Sequence, residues 1–420
     1  MGKIHPVCFC KAGWKLETKN EFPFSCFYDT LKISVREVGI RNRFFWDVIK
    51  ESMMQGEMMQ EKKANKQLVK VMALADSVTG QLEPKMKWMW GEALLGYALS
   101  ELDNYLGENR YEDFLKGFCD HYVANEPRVD QADTSAPALI TYAMQKKTGH
   151  KGYEYLTNKV VNYIKHEPRL LDDAVNHLGY SPEGRFYPKS IWVDSLMMFS
   201  VFPARYGREN NDLELLDFAA RQPRLYASYM QDRESGLWSH SYWVKQRKAY
   251  PEKIYWGRGN GWVICALPMI LEYLPEDHGE RENIIRIFQS TSKALLHYQR
   301  EDGYFDTVLA DEGKTYRESS ATALIASGLF EGVRQGWLGE DCAIAAKKAY
   351  DALVLNLVFE KHEVYMKEIS GPTIPLQIFP YLGYKLIPKG SNWPYGVAAM
   401  IFAAIAQDKW QNKNESKENE

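Results

Sequence analysis

From about residue 42 onward, apolar residues recur at three- to four-residue spacing in long stretches broken by Gly, Pro, Asn and Asp. That period marks amphipathic helices, and the breaks mark their ends. The pattern predicts helices near residues 66–79, 89–106, 110–124, 135–147, 152–165, 188–205, 210–230, 262–274, 280–299, 319–336, 340–356 and 394–408. These twelve segments fall into six consecutive pairs, and in each pair the second member is the more apolar. GEALLGYAL, SAPALITYAM, IWVDSLMMFSVF, WVICALPMIL, ATALIASGLF and YGVAAMIFAA all follow charged predecessors. An inner ring of buried helices wrapped by an outer amphipathic ring produces such alternation. The pairs recur at roughly 45–75 residues, too irregularly for a solenoid of short equal repeats. The expected fold is all-α, an (α/α)6 barrel of six helical hairpins. Strand signals are short, at 236–244, 303–307 and 364–367, and suit small β-hairpins at the barrel mouth.

Outside this rhythm lie the two ends. Residues 1–60 carry no period, and Phe22, Phe24, Phe27 and Tyr28 suggest an extension that packs on the body. The barrel spans 61–408, and 409–420, ending NKNESKENE, reads as a polar disordered tail. Apolar residues at 45% and charged ones at 25% allow a large core. A net charge of −3, from 52 basic and 55 acidic residues, makes no electrostatic case for nucleic acid or an anionic membrane. No run reaches the roughly 18 apolar residues of a membrane span. The N-terminus lacks the apolar core of a signal peptide, and Pro6 stands where a myristoylation signal has Ser or Thr. A cytoplasmic protein is expected, as monomer or homodimer. The six cysteines show no zinc spacing, so buried, reduced thiols are expected and neither metal nor cofactor is called for.

In such a barrel the loops entering the inner helices line one mouth. Trp88 and Trp90 precede the first inner helix, and Asp133 the second. Tyr187, Trp192 and Asp194 come at the third, and His240, Trp256, Arg258 and Trp262 at the fourth. Tyr316, Arg317 and Glu318 introduce the fifth, Trp393 and Tyr395 the sixth. Indoles offer flat faces to sugar rings, and arginine offers a planar fork to a carboxylate. The collection suits an acidic sugar. Its densest part is YWGRGNGW, Tyr255–Trp262, whose glycines are expected to permit positive φ and close approach of a ligand. It is not a nucleotide loop, since it lacks GK[ST] and the G-x-G-x-x-G spacing.

Asp194 is the one charge within IWVDSLMMFSVF. Such surroundings desolvate a carboxyl, raise its pKa and keep its proton, which a general acid requires. Other residues admit two readings. Asp133, ahead of Thr-Ser-Ala-Pro, serves equally as an N-cap. Glu318 before SSATAL also reads as a cap, His240 in LWSHSYW as a structural histidine, and YWGRGNGW as packing.

IWVDSLMM, WGRGNGW, the RESSATA stretch and PYGVAAM, in this order and spacing, resemble the unsaturated rhamnogalacturonyl hydrolases. These form glycoside hydrolase family 105, related to the unsaturated glucuronyl hydrolases of family 88. The resemblance covers residues 85–408 and implies an (α/α)6 barrel processing oligosaccharides left by polysaccharide lyases of pectin. It also implies hydration of the C4–C5 double bond of a terminal unsaturated uronate, with Asp194 as acid/base. By the same resemblance Asp133 helps hold the sugar and is needed for activity, while His240, Arg258 and Trp262 surround the uronate. There is one departure. Family members carry G-G-[YF]-x-H ahead of Y-P-x-x-x-W-x-D, whereas this chain reads SPEGRFYPKSIWVD, with Glu183 about where the histidine belongs. Two rivals remain beside the uronyl hydrolases: an inverting glycosidase using Asp133 and Asp194 on saturated substrate, and a non-catalytic sugar-binding barrel.

Overall fold

The computed structural model describes residues 65–418 apart from Glu312. The expectations for residues 1–60, and Cys8, Cys10 and Cys26, lie outside the described residues. Eleven helices precede a short one and a long last one: α1 (Lys66–Gln81), α2 (Trp90–Leu106), α3 (Glu112–Ala124), α4 (Ala138–Thr148), α5 (Lys151–His166), α6 (Val201–Asn210), α7 (Leu213–Met230), α8 (Gly257–Tyr273), α9 (Arg281–Leu296), α10 (Ser319–Gln335), α11 (Glu340–Leu355), α12 (Pro380–Lys385) and α13 (Pro394–Glu418). The apolar members α2, α4, α6, α8, α10 and α13 each pack on two neighbours, and α13 returns to α2 to close the ring. Helices α1, α3, α5, α7, α9 and α11 form the outer layer. The protein is therefore a mostly helical (α/α)6 barrel, as the alternation predicted.

Close packing of the inner ring depends on missing side chains. A Cβ at Gly328 of α10 would collide with the carbonyl oxygen of Ile264 in α8. The glycines of YWGRGNGW have the same use. Gly257, Gly259 and Gly261 lie inside the first turns of α8, and none has a positive φ. A Cβ at Gly257 would strike the Asp306 carbonyl, and one at Gly261 would lie 3.0 Å from Leu324 Cβ. The expectation of a positive-φ loop open to ligand is corrected: protein fills the space. Cys119, Cys265 and Cys342 are unpaired and buried.

Two predicted elements differ. After the paired strands β1 (Arg169–Leu170) and β2 (Ala174–Val175), the helix expected over 188–205 is instead strand β3 (Ser190–Trp192), a turn, one π-helical turn (Leu196–Ser200) and then α6. An apolar run alone does not separate strand from helix; pairing decides, because β3 lies antiparallel to Ser241–Trp243, with Ile191 opposite Tyr242. The tail expected to be disordered is helical to Glu418. Its amides form a ladder, Gln407 Nε2 to Gln411 Oε1 at 2.9 Å and Gln411 Nε2 to Glu415 Oε1 at 2.8 Å, and Trp410 packs on Phe330. Polar composition thus hid a helix carried on from a buried one.

Strands are short throughout. Ser241–Trp243 pairs with Lys248–Tyr250, completing a three-stranded sheet with β3. Val358–Glu360 pairs with Glu363–Tyr365, and Ile369–Ser370 with Lys389–Gly390. The segment 303–307 forms only a bridge, Asp306 to Arg317. Among the described residues no helix is long and apolar enough to cross a membrane.

Candidate active site

A cavity of about 430 Å³ opens at the mouth of the inner ring. Its lining includes Trp90, Gln131, Asp133, His177, Glu183, Phe186, Tyr187, Trp192, Asp194, Trp256 and Arg258, with Pro372, Thr373, Ile374 and Gln377 from one strap. Loops entering four of the inner helices contribute, as the barrel pattern implied.

Asp194 sits in the turn after β3. The Val193 N–H donates to the His240 carbonyl at 3.0 Å, and the Asp194 carbonyl accepts from the N–H groups of Met197 and Met198. Its side chain is 13% exposed, toward the cavity, while His240 behind it is fully buried. His240 Nε2 stands 3.2 Å from Asp194 Oδ2. The two atoms are poorly aligned for a hydrogen bond, so the contact is chiefly Coulombic. On its other side Nδ1 lies 2.9 Å from Tyr384 Oη, and the ring stacks on Trp256 at 4.2 Å. Burial, then the charges around it, push the Tyr384 hydroxyl well above its ordinary pKa. The Tyr384 hydroxyl, which keeps its proton, holds the ring from the side away from Asp194.

Asp133 lies on a single 3-10 turn, Ala132–Thr134, whose cap is Gln131 in reciprocal bonding with Thr134. The N-cap reading of Asp133 is therefore excluded, and its carboxyl, 17% exposed, faces the cavity. His177 Nε2 is 3.5 Å from Asp133 Oδ1. Its Nδ1 is 2.9 Å from Ser195 Oγ, and its ring stacks on Trp192 at 4.4 Å. Each carboxyl is thus backed by an imidazole that lies on an indole and is held by a hydroxyl.

The electrostatics of the two differ. Burial, with the charges of Asp194 and Glu183, pushes Asp133 well above the usual carboxylate range. Burial also takes His177 down to about 4, so at neutral pH it offers Asp133 no charge. Asp194 feels burial upward, but His240 and secondarily His177 pull it below its ordinary value. With His177 neutral, the weight rests on His240. The rise in pKa expected for Asp194 falls instead on Asp133: the pair is pushed apart, Asp133 upward by burial and Asp194 downward beside His240. Burial does act upward on Asp194, but the imidazole set against it in space counters that effect.

Three further expectations change. Arg258 is fully buried, with Nη1 donating to the Ser370 carbonyl at 2.8 Å, and Nη2 to the Gly371 carbonyl at 2.9 Å and Thr373 Oγ1 at 3.2 Å. Its guanidinium lies between Trp256 and Tyr395. The two Nη atoms of the fork anchor the strap, whose Pro372 and Thr373 shape the cavity that Arg258 also lines. Trp262 is buried outside the lining, edge-on to Trp90 at 6.0 Å, and supports that indole. Glu318 is buried and caps α10, accepting from the N–H groups of Ser320, Ala321 and Ser370. Every strong acceptor direction is used within the protein. Trp90, Tyr187 and Trp256 do line the cavity, and Glu183 reaches it from a 3-10 turn. His177, Gln131, the strap and Tyr384 were missed. A lone histidine in NHLGYSP and a tyrosine on a six-residue helix carry no periodic or motif signal.

The sequence matches the profile described as Glycosyl Hydrolase Family 88 over residues 61–410. The chain belongs to glycosyl hydrolase family 88. Among curated proteins, this family 88 member is 28% identical to Unsaturated 3S-rhamnoglycuronyl hydrolase of Alteromonas sp., over 76% of this chain and 78% of that one. It is 26% identical to Unsaturated rhamnogalacturonyl hydrolase YesR of Bacillus subtilis, over 77% of this chain and 90% of that one. Its fold is also similar to the crystal structure of a possible member of glycoside hydrolase family 105 from Klebsiella pneumoniae, with a TM-score of 0.72 and 25% identity, over 80% of this chain and 92% of that one. The family 88 protein is thus a glycoside hydrolase of the unsaturated uronyl hydrolase type.

Proposed function

We propose that this hydrolase removes the terminal 4,5-unsaturated uronate from short pectin-type oligosaccharides made by lyases, an unsaturated rhamnogalacturonan disaccharide foremost. The reading rests on one observation: two carboxyl groups in one cavity, each backed by an imidazole, with burial pushing Asp133 upward and His240 holding Asp194 down. The name of the Bacillus subtilis relative supports the rhamnogalacturonan part.

A C4–C5 double bond beside the ring oxygen is an enol ether. Its hydration requires a proton at C4 and a deprotonated water at C5. Asp133 gives its proton to C4, which leaves oxocarbenium character at C5 and the ring oxygen. Asp194 takes a proton from the water that adds at C5. The hemiketal then opens to a C5 ketone, and the anomeric carbon expels the remaining sugar. The proton returns from Asp194 to Asp133, the arrangement that His240 favours. Unequal proton affinity in a pair of neighbouring groups is what such a division of labour needs. This reading divides between two residues the work expected of Asp194 alone.

The test is incubation with the unsaturated rhamnogalacturonan disaccharide while following the ultraviolet absorbance of the conjugated double bond. Loss of absorbance with release of rhamnose is expected. Release from a saturated disaccharide, with the unsaturated one untouched, would point to the inverting glycosidase instead.

A further inference from the structure

Glu183 stands on the 3-10 turn Glu183–Arg185 beside Phe186, at the outer edge of the cavity. It is exposed, and Phe186 is 85% exposed, whereas the carboxyls of Asp133 and Asp194 are nearly buried. An enzyme that removes a terminal sugar takes that sugar to the depth of the reacting groups and leaves the rest of the chain at the mouth. The rim residues Glu183, Phe186, Ile374 and Gln377 therefore face the leaving sugar.

The charges along this depth are uneven. Inside, burial favours the uncharged form of Asp133 and His240 stands 3.2 Å from Asp194, so an anionic uronate is tolerated there. At the rim nothing offsets Glu183. Its side chain makes no hydrogen bond or ion pair among the described residues. Arg185 and Lys189 follow it in the chain and are exposed, but neither lines the cavity, and Arg258 is committed to the strap. Its charge is felt inside the cavity, where it helps keep Asp133 protonated. Around it the rim is apolar, with Phe186 and Ile374 offering surface to the uncharged face of a sugar.

We propose that Glu183 restricts the leaving side of the site to a neutral sugar, accepting hydroxyl donors and repelling an anionic substituent such as a sulfate ester or a second uronate. This rests on the uronate-removal reading above. Like charges set face to face oppose binding, and opposite ones favour it.

The experiment compares kcat/KM for two unsaturated disaccharides that differ only in an O-sulfate on the leaving sugar, followed by loss of absorbance. Wild type should favour the neutral one by about tenfold or more. Glu183→Gln should bring the ratio toward unity, and Glu183→Lys should reverse it. Added salt should narrow the wild-type ratio, because an exposed charge is screened. A wild-type preference for the sulfated sugar, or the same ratio in all three proteins, would overturn the proposal while leaving uronate removal standing. Consumption of neither substrate by wild type would overturn both readings together.

Discussion

His240 Nε2 lies 3.2 Å from Asp194 Oδ2, so the one charge in a twelve-residue apolar run is, in space, a partnered charge. The histidine comes from the residue before strand Ser241–Trp243, and the Val193 N–H to His240 carbonyl bond brings the two together. That pairing lowers the Asp194 pKa, and the proposed division of work between Asp194 and Asp133 rests on it.

Asp194→Asn should abolish turnover of the unsaturated disaccharide while leaving the circular dichroism spectrum unchanged. A general base typically supplies about 10²–10⁴-fold. Retention of more than a tenth of the wild-type rate would remove Asp194 from the chemistry. Asp133→Asn should be as severe, because an amide has no carboxylic proton to give.

The same Asp133→Asn variant should be the more stable protein at neutral and alkaline pH. Asp133 has a folded pKa raised above its unfolded value, chiefly by burial. Its contribution to stability is complete below the unfolded value near 3.9 and is lost as pH rises toward the raised one. Asparagine cannot ionise and carries no such loss. Melting curves of the two proteins should lie closest at about pH 4 and separate as pH rises, with the variant higher. A variant that melts lower at pH 8 would contradict the raised pKa.

Tyr384→Phe should act through His240 rather than on substrate. Without the hydroxyl at 2.9 Å, the imidazole loses the contact that holds it from the side away from Asp194. We expect kcat to fall about tenfold with KM little changed, a loss of the size a single hydrogen bond gives. The acid limb of the pH–rate profile should move upward, since Asp194 loses part of what holds its pKa down. A lower melting temperature with an unmoved acid limb would mark Tyr384 as merely structural.

Arg258→Lys should lower the melting temperature. Lysine cannot reproduce bonds to two successive carbonyls and Thr373 while stacked between two rings. Each lost charged hydrogen bond costs roughly 1.5–3 kcal/mol. A raised KM with an unchanged melting temperature would restore the reading of Arg258 as a carboxylate clamp.

Glu318→Ala should cost roughly 0.5–2 kcal/mol as the loss of a helix cap, or somewhat more because the Ser370 N–H also loses its acceptor. Denaturant unfolding measures this. Activity per folded molecule should stay at the wild-type level, and its collapse would place Glu318 back at the substrate.

Helix periodicity and the apolar second member of each pair were sufficient for the barrel, because burying one face of each hairpin leaves few alternatives to a closed ring. The order of loops then placed Trp90, Asp133, Tyr187, Asp194 and Trp256 at one mouth without any contact being known. Glu183 was visible as a departure from the family's motif. What remained hidden was set by partners distant in sequence. Arg258 meets the carbonyls of residues 370 and 371, Glu318 meets the Ser370 N–H, and His240 meets Tyr384, all in the stretch 370–384, which carries no long periodic signal. Protonation was the least legible property, because a carboxyl's pKa depends on what faces it in space. The chain determined which residues reach the mouth. Only the tertiary structure set the two aspartates apart, since an imidazole 3.2 Å from Asp194 counters the burial that raises the pKa of Asp133.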